Sequence, residues 1–101
     1  YRRAARLADG FIFGGDLDRV TAAWARVREL LAEEGRAVEG FGADYQAPDG
    51  TTPQQAAALA RRWEDAGGTH FAVRTMKLGY TEAQQHIDHI AEARALIGQA
   101  V

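Results

Sequence analysis

The sequence predicts an α/β fold of parallel strands alternating with helices, and three observations predict it. Apolar residues recur at helical spacing in four segments, and in short bulky or alternating runs in the three segments between them. The helical segments are long enough to serve as crossovers, and such alternation argues parallel strands with helices packed against them. The two faces of the strands also differ in polarity. One would carry Phe41, Ala43, Tyr45, Phe71 and Val73, the other Gly42, Asp44, Gln46, His70, Ala72, Arg74 and Met76. A sheet covered on both sides calls for near-continuous apolar strands, whereas the inside of a barrel accepts small, polar and paired side chains. The pattern therefore predicts a barrel wall, with Asp44 and Arg74 meeting across neighbouring strands on its inner face.

Taken in order, Tyr1 to Ala8 reads as helix without a capping residue before it, and with Tyr1 in place of Met the chain reads as a piece of something longer. Phe11-Ile12-Phe13 is a short buried strand closed by Gly14-Gly15. Asp16 caps a helix whose Leu17, Val20, Trp24, Val27 and Leu31 form one apolar stripe, and Gly35 stops it. Val38 to Ala47 alternates as a second strand, and Pro48-Asp49-Gly50 is a turn. Thr52-Pro53-Gln54-Gln55 is a capping box with Pro at the first helical position. That helix carries Leu59 and Trp63 and ends at Gly67-Gly68. Thr69 to Met76 is the third strand, and Lys77 to Tyr80 a loop. Thr81-Glu82-Ala83-Gln84 is a second capping box, opening a last helix with Ile87, Ile90 and Ile97 on its apolar side.

Composition narrows the function classes. The 101 residues make one ordinary domain, residues 1–101, with 12 Lys plus Arg against 14 Asp plus Glu and a formal net charge of -2. No basic patch points to nucleic acid or an anionic membrane, and no apolar stretch approaches the roughly 18 residues that span a bilayer. No signal peptide opens the chain, so a cytoplasmic location is expected. Without Cys there are no disulfides, thiolate metal sites or cysteine nucleophiles, and without Ser no serine hydrolase.

Two stretches carry a family resemblance. Arg3-Ala4-Ala5-Arg6-Leu7-Ala8-Asp9-Gly10-Phe11-Ile12 looks like the RRAARLADGW signature of the luciferase-like monooxygenase superfamily, with Phe11 where the signature has Trp. Trp63-Glu64-Asp65-Ala66-Gly67-Gly68-Thr69-His70, then Thr75-Met76, then His86-Ile87-Asp88 is similar to that family's C-terminal pattern of W-x-D-A-G-x-T-H, T-M and H-I-D. The resemblance covers essentially the whole chain. It implies the last three strands, with their helices, of a TIM (β/α)8 barrel, in a flavin- or deazaflavin-dependent oxidoreductase of monooxygenase type. A complete barrel takes roughly 250 residues, so about five strands would lie upstream. The resemblance also puts the cofactor-phosphate turn and the early-strand substrate residues upstream of Tyr1. The isolated chain is therefore expected to be inactive and to hold no cofactor, with FMN or a deazaflavin and a small organic substrate belonging to the parent. No catalytic residue is assigned within the chain.

The candidate cofactor-binding residues are Gly14, Gly15, Arg74 and Met76, placed where barrel strands end and ligands bind. Gly14-Gly15-Asp16 reads either as a plain tight turn or as one that lines the ligand. Arg74 reads either as facing the mouth or as the counter-ion of Asp44. Glu82, His86 and His89 lie on consecutive helical turns, a spacing that permits a metal ion but lacks the His-Glu-x-x-His pattern, and they read as a solvated face. Trp24 and Trp63 read as packing residues. A second reading makes the chain a non-catalytic α/β module that forms a homo-oligomer through its open sheet edges and exposed inner face.

Overall fold

A computed structural model describes residues 1–100 of the chain. Its elements are α1 (Arg2–Leu7), β1 (Gly10–Gly14), α2 (Leu17–Glu33), β2 (Gly42–Gln46), α3 (Pro53–Asp65), β3 (His70–Ala72) and α4 (Ala83–Ala100). The three strands are parallel and form one open sheet in the order β1-β2-β3. The predicted alternation of helices with parallel strands is thus present, in an open sheet.

The consecutive strand order decides where the helices go. Both crossovers step across the sheet in the same direction, and right-handed connections then leave α2 and α3 on one face. The core shows the same arrangement. Trp24 of α2 and Trp63 of α3 both pack on Phe13, with ring centroids 6.2 and 5.7 Å away. Trp24 also stacks on Phe41, and Trp63 lies against Tyr45, the register partner of Phe13. Both indoles are buried, as predicted for packing residues, and burying each contributes about 2–3 kcal/mol. The opposite face carries Ile12, 62% exposed, beside Gly42, Asp44, Gln46 and His70. No helix covers it.

Local signals explain the helix boundaries. The Asp16 carboxylate accepts from the Arg19 amide, and α2 then buries Leu17, Val20, Trp24, Val27, Leu30 and Leu31 along one stripe. Thr52 and Gln55 form the predicted reciprocal box at the start of α3. After α3, Gly67 takes a φ of 91°, and Gly68 answers to space: a Cβ there would lie 2.1 Å from the Trp63 indole nitrogen. The indole N–H donates to the carbonyl of His70 at 2.9 Å, so this turn and the start of β3 are fixed by one side chain.

Three expectations are corrected. The third strand pairs only over His70–Ala72 and not to Met76, because its partner β2 ends at Gln46 and the chain turns away at Pro48, which has no N–H to offer a ladder. At the start of α4 the box is not Thr81 with Gln84. The Gln85 side chain instead accepts from the backbone amides of Thr81 and Glu82. The buried side of α4 holds His89 and Ala93, while Ile87 and Ile90 are exposed.

Candidate functional site

The C-terminal ends of the three strands meet in one rim. β1 stops at Gly14, whose register partner is Gln46, the last residue of β2. Next in the chain, Gly15 adopts a φ of 101°, which turns the backbone into the capped start of α2. The phenol of Tyr45 reaches up from the buried face and donates to the Gly15 carbonyl at 2.7 Å. Burial is the main cause that raises this phenol above its ordinary 10.0, and the Asp16 carboxylate adds to it against the opposing pull of Arg62.

Gln46 links the rim to the loop after β3. Its side-chain oxygen accepts from the Arg74 guanidinium. Arg74 also pairs with Asp49 at 3.5 Å, and Lys77 approaches the other oxygen of the same carboxylate at 3.9 Å. The two loops are zipped by backbone bonds, from the Ala47 amide to the Ala72 carbonyl at 3.0 Å and from the Gly50 amide to the Met76 carbonyl at 2.9 Å. Lys77, held in this frame, has a φ of 61°.

The structure therefore brings Gly14, Gly15 and Arg74 to one rim with Gln46 between them. Met76 lies beyond it in the loop, its side chain 59% exposed. Arg74 does not meet Asp44: β3 runs past Asp44 at His70, and four residues further on the guanidinium is level with Gln46 and Asp49. Oδ1 of Asp44 is buried without a hydrogen-bond partner among the described residues. Nothing in the sequence marks Asp49 and Lys77, since a Pro-Asp-Gly turn gives no sign of which charge it will meet.

The far side of the same loop is tied to α4. Thr75 Oγ1 and His86 Nδ1 share a 2.6 Å hydrogen bond, and Tyr80 OH and His89 Nδ1 share one of 2.9 Å. The Tyr80 ring lies edge-on to both imidazoles. Of the three residues expected on a solvated face, Glu82 is exposed as expected, His86 is half-buried and His89 is only 2% exposed. Among the described residues no three His, Asp or Glu side chains converge as metal ligands.

Below the rim, a groove of about 410 Å³ runs along the free edge of β1, lined by Phe11, Ile12, Gly14, Gly15, Asp16 and Arg19 among others. A more apolar groove of about 470 Å³ lies between α1 and β1, against Tyr1, Ala4, Leu7, Ala8 and Phe11. No family model, curated protein or solved structure matches the chain. Among the described residues no helix is long and apolar enough to cross a membrane.

Proposed function

We propose that this chain is the C-terminal sector of a cytoplasmic luciferase-like oxidoreductase barrel that uses reduced FMN or a deazaflavin and acts on a small organic substrate. The sector alone is inactive. Its contribution is wall, helices and part of the ligand mouth.

One observation carries the reading beyond the sequence patterns: the strand order never reverses, so one face of the sheet is covered by helices and the other, polar, is open. A doubly wound sheet reverses and covers both faces, whereas a barrel wall does neither. The uncovered flanks agree. Leu7, 74% exposed, stands at the β1 end, and Ile87 and Ile90 are exposed on α4 at the other. Those are the sides on which neighbouring βα units pack in a closed barrel.

The rim fits a flat anionic cofactor. A Cβ on Gly14 or Gly15 would meet nothing within 4 Å, so a ring system can approach the backbone there. Arg74 offers a cation, and Met76, beyond the rim in the same loop, a polarizable apolar side chain that the rest of the barrel would have to bring over the ring. The bound group would supply the redox chemistry, and these residues would position it.

The intact mass of the protein from its native source tests this. A mass of roughly 30 kDa, as a full barrel requires, is expected. A mass near the 11.0 kDa of this chain would overturn it. The second reading, a self-associating module, is favoured by the same exposed flanks and two free edges, which a second copy could cover. Light scattering of the isolated chain decides it, since a clean monomer at micromolar concentration excludes that reading.

A further inference from the structure

We infer that Arg74 and Lys77 form a binding site for an oxyanion, a carboxylate or phosphate group of a ligand, with Asp49 as its built-in, displaceable counter-ion. Two cations share one carboxylate here, at 3.5 and 3.9 Å, so the cluster is short of one negative charge. Both contacts are longer than a well-formed charged hydrogen bond of about 2.7–2.9 Å. Asp49 therefore holds neither cation in the tight geometry that an added oxyanion could reach.

The backbone supports the same conclusion. Lys77 sits in the left-handed region at φ 61°, a conformation that disfavours a side chain and persists only where the surroundings impose it. What imposes it is the zip between the two loops, through the Gly50 amide on the Met76 carbonyl next door. The strained turn keeps the lysine beside Asp49 and Arg74, although a glycine would form the turn with less strain. Gln46 fixes the other cation from the side, so the guanidinium is oriented before any ligand arrives. The place is also the one where parallel sheets bind ligands, at the carboxyl ends of their strands. Arg presents a planar fork that matches carboxylate and phosphate alike, while Lys adds a point charge.

This inference deepens the proposed ligand mouth but needs neither flavin nor deazaflavin, so it can fail or hold separately from that reading. The probes are inorganic phosphate and malonate, titrated at constant ionic strength into the 15N-labelled chain. Amide shifts centred on Gly50, Arg74 and Lys77 are expected, and the tighter of the two probes identifies the oxyanion. Arg74→Gln should weaken binding by about tenfold or more, the loss of one charged contact. Lys77→Gly, which removes the charge and relieves the turn together, should weaken binding while leaving the fold at least as stable. Asp49→Asn should tighten binding several-fold, because the competing carboxylate is gone. That last response distinguishes a ligand site from a structural ion-pair cluster. Shifts that are absent at tens of millimolar probe, or that survive Arg74→Gln, or an Asp49→Asn variant that binds no better, would each overturn the proposal.

Discussion

The Tyr45 phenol donates to the Gly15 carbonyl across 2.7 Å, so the middle strand holds the turn that ends the edge strand. The rest of the Tyr45 ring is buried against Trp63 and Phe71. The rim therefore takes its shape from the core beneath it.

Replacing Tyr45 by Phe keeps that packing and removes the bond, at a cost of about 1 kcal/mol in urea unfolding. The pH dependence has a definite direction. The folded phenol is raised above 10.0, so the unfolded chain loses this proton first as pH climbs. The contribution is whole below pH 10.0 and declines as pH rises past that value toward the folded pKa. Tyr45→Phe should remove this part of the alkaline loss, and unfolding curves recorded between neutral and strongly alkaline pH would reveal it.

Gly68→Ala should be far more damaging than Gly67→Ala. The first drives a methyl group to 2.1 Å from the Trp63 indole, while the second strains a positive φ, which costs about 1–2 kcal/mol, and brings a methyl group to a tight but milder 3.3 Å from the Trp24 indole nitrogen. A double-mutant cycle with Trp63→Phe provides the check: the smaller ring vacates part of the clash, so the two losses should sum to more than the double variant shows. Strict additivity would mean that the indole is not what excludes a side chain at Gly68.

Tyr80→Phe leaves the His89 ring without its hydrogen-bond partner in a site where its other nitrogen already has none among the described residues. A loss of about 1–3 kcal/mol is expected. Hydrogen exchange should quicken first in the loop from Val73 to Glu82, which Thr75 and Tyr80 tie to α4.

Leu7→Glu should leave stability within about 0.5 kcal/mol, since the side chain is already exposed. If copies of the chain meet through that flank, sedimentation should show a lower mass for the variant than for the parent at equal concentration.

Much of the fold could be read from the residues because local and packing signals agree. Asp16 and Thr52 cap where they are expected to, and Phe41, Ala43 and Tyr45 share the buried face that alternation assigns them. The misses have a common physical origin in partners far along the chain. Ile87 and Ile90 have core spacing, yet α4 turns His89 and Ala93 inward, because Tyr80 and the neighbouring helix α3 complete its environment. Alternation points Arg74 to Asp44 rather than Asp49, because it continues in the sequence after the ladder has stopped. Of the rim, Gly14, Gly15 and Arg74 were legible. Asp49 and Lys77 become neighbours only through the two backbone bonds that join their loops.

The unreversed strand order also bears on how the chain folds. Gly42 pairs with Gly10 and His70 with Asp44, so each closure spans a single helix and no strand waits for a distant partner. Each such parallel pairing is still non-local, closing the chain across a whole helix before it is rewarded, so the sheet forms more slowly than the helices that bridge it. β1, α2 and β2 can pair as soon as they leave the ribosome, and β3 then adds to an edge already in place. A truncation after α3 should accordingly retain the β1-β2 pair, whereas one that removes β1 takes away the template on which each later step is laid.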